Sequence, residues 1–249
     1  MKLRTALLVA VMLVANACGS EELATPDSIT VFAAASLTEA FTQIAADFEN
    51  QQGTTVRLSF GSSDGLATQI QEGAPADVFA SASPKWMDAV AEDPGVTDRT
   101  DFARNLLIVI TPTDNPAGVH SVGDLGRPGI KLVLAAEGVP VGDYARELLG
   151  NAGIADEALA NVVSNEDDVK GVVQKVALGE ADAGIVYRTD VTTAVAGDLD
   201  VIDVPDDDNV VAVYPIAALA RAPGPARGFV TYVLGPGLAV LQQAGFLPP

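Results

Sequence analysis

One cysteine and one histidine stand among 249 residues, and aromatic side chains make up only 5% of them. A lone cysteine, Cys18, leaves no pair for an internal disulfide. The lone histidine, His120, sits in the loop-like stretch GVHSVGDLG, and no His/Cys/Asp cluster has metal-ligand spacing. A nucleophilic triad is disfavoured as well, because no serine lies in a nucleophile elbow and a single imidazole is available. The stretch GVVQKVALGEA lacks the glycine pattern of a phosphate loop. Paired acids occur in NEDD and PDDDN, but both read as turn or helix-start carboxylates. No catalyst emerges, and no enzyme is expected.

Positive charge is scarce too. Against 33 acidic residues there are 14 basic ones, for a formal net charge of −19. Removing Lys2 and Arg4 with an N-terminal leader takes away two positive charges and brings the body to −21. That balance excludes nucleic acid as a partner, which requires a basic footprint. It does not exclude a small anion. Surface charge is screened over roughly 8 Å at physiological salt, whereas capture is decided by groups in contact. Internal repeats and low-complexity segments are also missing, and a 49% hydrophobic content supports a folded core.

What is present begins with an export signal over residues 1–17. Lys2 and Arg4 supply a basic start, Ala6 to Val14 an apolar run, and Ala15-Asn16-Ala17 a small-residue cleavage site. The run is too short to span a bilayer as a permanent helix. Cys18 follows directly. Its position and uniqueness resemble a bacterial lipobox, whose cysteine is lipidated and becomes the mature N-terminus, although Ala15 stands where leucine is usual. Residues 18–27 are then a lipid-anchored polar tether, holding the protein on the extracytoplasmic face of the cell membrane. The alternative is ordinary cleavage after Ala17, a free thiol and a soluble periplasmic protein.

After residue 28, strand and helix patterns alternate. TVRLSF, ADVFASA, NLLIVIT (105–111), KLVLAA, ANVVS, AGIVY, DVIDV and VVAVYPIAAL read as strands. TQIAADF, GLATQIQEG, PKWMDAVAED, YARELLGNAG, VKGVVQKVALGEA and the end from Pro225 to Phe246 read as helices, the last broken at a Gly-Pro-Gly. The alternation predicts α/β architecture with mainly parallel sheets.

Several of these helices start in small or neutral residues. In ITVFAAASLTEAF (29–41) a buried strand meets a helix through three alanines and Ser36. Ser36 followed by Glu39 reads as a capping box that begins the helix at the serine. FGSSDGLA (60–67) places Ser62 and Ser63 at a second start, and GVPVGDYA (138–145) forms a third, where proline and glycine permit tight backbone approach. SNEDDVK (164–170) forms a fourth, with Asn165 as its expected cap. Each is explained singly by ordinary capping and packing. Together they offer several N–H and O–H donors to one anion without a basic side chain.

ITVFAAASLTEAF, GSSDGLATQIQEGAPADVFASASPKWMD, VPVGDYARELL, EDDVKGVVQKVALGEADAGIVY and the terminal YPIAAL…FVTYVLGP…GF resemble, in order over residues 28–247, the extracytoplasmic molybdate-binding proteins of ABC importers. The resemblance implies a two-lobe, type II periplasmic-binding-protein-like fold with the ligand in the interlobe cleft. Lobe I would comprise residues 28–107 plus 214–249, and lobe II residues 108–213, with NLLIVIT and VVAVYPI crossing between them. Carried over residue by residue, the ligand contacts are Ser36 and Ser63 from one lobe and Val141, Val169 and Tyr187 from the other. Molybdenum would be held as molybdate, or tungsten as tungstate, with no direct metal ligand and no resident cofactor. The implied partners are a membrane permease and its ATPase, and a monomer is expected. Val141 stands where the family often has alanine, and Asp64 where a neutral residue is more usual; Asp64 is expected to point away from the ligand. Another tetrahedral oxyanion such as sulfate is the alternative ligand. A ferric-iron receptor is disfavoured because Tyr144, Tyr187, Tyr214 and Tyr232 are dispersed, and an exported hydrolase because no nucleophile–base pair exists. A carboxylate-using homologous branch would place Asp64 or Asp143 against the anion.

Overall fold

The computed structural model describes residues 28–249, so the export signal, Cys18 and the tether lie outside the described residues. β1 (Ser28–Ala34) is an almost wholly buried strand, paired in parallel with β2 (Thr55–Gly61) on one side and β3 (Val78–Ala80) on the other. Between β1 and β2 runs α1 (Thr38–Gln52), which buries Phe41, Ile44, Ala45 and Phe48, the spacing of one helical face. It stops at Gly53, whose φ of 70° is the left-handed conformation glycine adopts without a Cβ penalty. α2 (Ser63–Gln71) joins β2 to β3, and α3 (Pro84–Glu92) follows, with proline in its first turn and the Ser83 hydroxyl accepting from Lys85 N–H.

β4 (Val96–Pro112) is a single strand of 17 residues, far longer than the 105–111 segment its apolar core predicts. The additional stretch VTDRTDFAR is too polar to announce itself. It is extended because residues 96–106 pair antiparallel along β9 (Val211–Leu219), a partner over a hundred residues away. From Leu107 onward β4 changes partners, pairing with β7 (Ala183–Tyr187) and β8 (Leu199–Asp203). The second half of the molecule is completed by β5 (Leu132–Ala135), α4 (Pro140–Asn151), a short α5 (Ala155–Ala160) that the sequence reading did not assign, β6 (Val162–Glu166) and α6 (Val169–Ala177). α7 (Gly224–Val233) and α8 (Gly237–Gln243) return to pack near α1.

The resulting ladder runs β2-β1-β3-β9-β4-β7-β5-β6, with β8 beside β4. Parallel pairs occupy each half, and every antiparallel pair involves β4 or β9. These two strands therefore carry the chain between halves, and the ends of β1, β2, β5 and β7 converge beside them. Aromatic residues, scarce overall, are concentrated at this junction. Phe41, Phe102, Tyr214 and Tyr187 form a series of tilted and edge-to-face contacts with centroid separations of 5.8, 6.3 and 5.8 Å. Such contacts contribute about 0.5–1.5 kcal/mol each beyond buried area.

Candidate functional site

Where the strand ends meet lies a small cleft with a cavity volume of about 20 Å3, enough for one small polar guest and far too little for a drug-sized ligand. Ser36, Ser63, Val141, Val169 and Tyr187 all line it, together with Ala34, Ala35, Ala82 and Asp168. Residues separated by up to 153 positions thus share one small chamber. No lysine or arginine lines it.

Each lining residue arrives by a strand-to-helix junction. Ser36 sits in a tight 3-10 turn, Ala35–Leu37, between β1 and α1, and is 4% exposed. The alanines before it leave room at the cleft wall. The capping box anticipated there does not form. The α-helix begins only at Thr38 with no side-chain cap, Ser36 Oγ lies 3.0 Å from Tyr214 Oη, and Glu39 instead pairs with Lys170 at 3.0 Å. Tertiary partners outcompete the local pairing because both side chains have a better-matched group across the fold.

Ser63 is the first residue of α2, and its N-cap Ser62 makes no side-chain cap bond. Ser63 Oγ accepts the Ala82 N–H at 2.9 Å, so its own proton remains free to be donated. Val141 is the second residue of α4, where backbone N–H groups have no intrahelical acceptor. The adjacent Gly142 is required by the chain itself. A Cβ there would lie 2.5 Å from the Ala135 carbonyl oxygen and would collide with that of Ala136. The tight approach foreseen at GVPVGDYA is therefore helix against strand backbone, and it brings the α4 start hard against the end of β5.

Val169 opens α6, capped not by Asn165 but by Asp168, whose Oδ1 accepts Gly171 N–H at 3.0 Å. Asn165 is instead held by Arg146, which also donates to the carbonyls of Ala135 and Gly142. The Asp168 carboxylate is thus committed to the helix end even though the residue borders the cleft. Asp64 and Asp143 do not line it; Asp143 accepts from Gly138 N–H and pairs with Lys85.

Tyr187 closes the chamber from the end of β7. Its hydroxyl is buried without any hydrogen-bond partner among the described residues. Burial pushes its pKa well above the ordinary tyrosine value, so the group is a neutral phenol with a proton to give. A buried, unpaired O–H at a cleft wall is costly and therefore points to an absent acceptor. Beneath it lies Asp190, fully buried, whose Oδ2 accepts Tyr187 N–H at 3.1 Å and whose Oδ1 lies 3.6 Å from Lys170 Nζ. Burial outweighs the lysine and raises its pKa to about 7.

The sequence reading treated the tyrosines as dispersed. In space Tyr187 and Tyr214 meet with ring centroids 5.8 Å apart, although only Tyr187 lines the cleft. Tyr214 and Asp190 carried no local signal, since each acts through a partner brought in by the fold. What the arrangement offers chemically is a set of neutral donors: the hydroxyls of Ser36, Ser62 and Ser63, the Tyr187 phenol and the N–H groups of three helix first turns, with positive dipole ends aimed inward. Among the described residues no His/Cys/Asp/Glu group could hold a bare metal ion, and no helix is long and apolar enough to cross a membrane.

Residues 29–247 match the family described as bacterial extracellular solute-binding protein. The chain is 41% identical over 97% of its length to the molybdate-binding protein ModA of Mycobacterium tuberculosis, and covers 97% of that relative. It is 35% identical to the molybdate-binding protein ModA of Escherichia coli, covering 92% of this chain and 93% of the relative. Among solved structures, the periplasmic molybdate-binding protein of Azotobacter vinelandii superposes with a TM-score of 0.77 at 24% identity, covering 89% of this chain and 99% of that one, and shares its fold. These likenesses extend over the whole folded body, and the α/β architecture, with its sheet flanked by helices, is that of the type II periplasmic binding proteins. The chain belongs to the bacterial extracellular solute-binding proteins, in the molybdate-binding family, and is an exported protein.

Proposed function

We propose that this protein captures molybdate, and tungstate with it, in the cleft between its two halves and delivers the ion to the permease of an ABC importer. The observation that carries this reading is the buried Tyr187 hydroxyl without a partner, in a small cleft whose polar lining is hydroxyls and helix-start N–H groups apart from Asp168, whose carboxylate is spent on capping α6. A tetrahedral dianion supplies the acceptors those donors lack. Charge-assisted hydrogen bonds in a water-poor site hold such an ion without a formal positive charge. Ser36 and Ser63 would donate from one side; Val141 N–H, Val169 N–H and the Tyr187 phenol from the other. Val141 contributes through its backbone, so its two extra methyls relative to alanine affect only the shape of the chamber.

The two halves act as lobes, residues 28–107 plus 214–249 and residues 108–213, that close about β4 and β9. The described structure supports a closed arrangement, since contacts bridge the two sides of the cleft mouth. Trp86 Nε1 donates to the Gly138 carbonyl at 2.8 Å, and Lys85 meets Asp143 at 3.1 Å. Lys170 reaches Glu39 at 3.0 Å on the other side. Lipidation at Cys18 would keep the protein near its membrane partner, and the function is one of binding, not catalysis.

Calorimetric titration of the purified body with molybdate, tungstate, sulfate and phosphate tests the reading. Molybdate and tungstate bind far more tightly than sulfate, and phosphate hardly at all. Sulfate binding within tenfold of molybdate would make the protein a general oxyanion receptor.

A further inference from the structure

The Ser36 hydroxyl has a neighbour behind it. Tyr214, on β9, is fully buried and does not line the cleft, yet its Oη lies 3.0 Å from Ser36 Oγ. Its ring is gripped edge-to-face by Phe102 at 6.3 Å, Phe246 at 5.5 Å and Tyr187 at 5.8 Å, so the phenol is fixed in place. Two proton arrangements fit the separation. If Ser36 donated to Tyr214, the Tyr214 proton would have only the neighbouring Asn105 amide and Tyr187 phenol to turn to, and neither makes a hydrogen bond of sound geometry to that oxygen among the described residues. Tyr214 is therefore the donor, and the Ser36 proton is left to face the cleft. Ser63 is arranged the same way, with Ala82 N–H donating to its Oγ from behind.

We infer that Tyr214 is a positioning residue that holds Ser36 as an obligate donor, and thereby sets how strongly the cleft prefers a fully deprotonated oxyanion over one carrying a proton. A serine hydroxyl is by nature both donor and acceptor. Without Tyr214 behind it, Ser36 can rotate and accept the proton of hydrogen phosphate. With Tyr214 in place, that proton meets another proton. Discrimination at the cleft thus depends on a crossing strand outside it. The inference rests on the molybdate reading above.

The test compares wild type with Tyr214→Phe, which keeps the aromatic packing and removes only the hydroxyl. Calorimetry with molybdate and with inorganic phosphate is run on both, and again in a Ser36→Ala background. Molybdate affinity falls by about tenfold in Tyr214→Phe, as for loss of one buried hydrogen bond, while phosphate affinity holds or rises, so the molybdate-to-phosphate ratio drops. In the Ser36→Ala background the Tyr214→Phe change alters neither affinity nor ratio, because the residue acts through Ser36. A merely structural tyrosine would lower the melting temperature and leave the ratio unchanged, which overturns the inference. Equal effects with and without Ser36 overturn it too. A wild type that fails to bind molybdate overturns the proposed function, and this inference with it. If Tyr214→Phe does not fold, NMR of molybdate-loaded wild type decides: a slowly exchanging Tyr214 hydroxyl proton with a cross-peak to the Ser36 β-protons supports the inference, and its absence refutes it.

Discussion

Ser36 makes no cap bond, so its replacement separates binding from folding more cleanly than its place beside a helix suggests. Ser36→Ala and Tyr187→Phe each remove one hydroxyl donor to a charged oxygen, worth about 1.5–3 kcal/mol, or roughly ten- to a hundredfold in molybdate affinity by titration. Val141→Ala retains its N–H and leaves the affinity at or slightly above that of wild type. Wild-type affinity in Ser36→Ala would move the anion elsewhere. Asp190 gives a pH signature of a different kind. Its carboxyl titrates near pH 7 in the folded protein against 3.8 for an ordinary aspartate, because burial disfavours the charge. Between those values the folded state holds a proton the unfolded chain has released, so this group's contribution to stability declines as pH rises from about 4 to 7. Asp190→Asn abolishes that dependence. From pH 5 to pH 7 the variant gains on wild type by on the order of 2–3 kcal/mol in urea unfolding. A pH-independent difference would show that Asp190 is already ionised at pH 5.

At the scale of elements, the site depends on how the starts of α4 and α6 are seated. Gly142→Ala places a methyl against the carbonyls of Ala135 and Ala136, and neither is free to give way: Ala135 ends β5, and Ala136 just beyond it is tied through its N–H to the Glu166 carbonyl. The helix start must lift, with a loss of about 1–3 kcal/mol or more of stability and a displaced Val141 N–H. Molybdate affinity falls even though no ligand group has been removed. Asp168→Ala costs about 1 kcal/mol through loss of the α6 cap, measurable as a lower melting temperature. The reverse result, intact affinity in Gly142→Ala, would show that Val141 does not contribute its backbone to the ion. Much of this element level was legible beforehand. Period-2 and period-3.6 patterns located the strands and helices, and four helix starts were picked out as donors. The capping residues were less legible: Glu39 and Asn165 have competing partners in Lys170 and Arg146, which local spacing does not reveal.

For the molecule as a whole, closure has a built-in reporter. Trp86 is the only tryptophan, and its indole N–H bonds Gly138 across the cleft mouth. Molybdate therefore changes the Trp86 fluorescence with a midpoint equal to the calorimetric one, and an unchanged spectrum at saturation would contradict closure at this contact. The neighbouring Lys85–Asp143 pair is well exposed on both sides and contributes little by comparison, about 0–1 kcal/mol. Anchoring also belongs to this scale. Cys18→Ala shifts the full-length protein from the membrane fraction to the soluble one, since stable attachment needs two or more acyl chains. Unchanged fractionation would show that Cys18 carries no anchor.

The family resemblance implied the five residues now found around one cleft; by itself the sequence determined the α/β class, the succession of elements, the scarcity of catalytic groups and the helix starts built from small residues. Those follow from short-range physics: side-chain periodicity, unpaired N–H groups at helix starts, and the small residues that strand-to-helix turns require. Only the tertiary structure decided which groups face one another. The reach of β4 into polar sequence, the partners that draw Asn165 and Glu39 away from local caps, the buried carboxyl of Asp190 and the Tyr214 hydroxyl behind Ser36 all depend on pairings between distant segments. Ser36 and Tyr214 are 178 residues apart. A hydroxyl's role as donor or acceptor is settled by whatever lies within about 3 Å of it, and no local pattern encodes a neighbour that arrives on another strand.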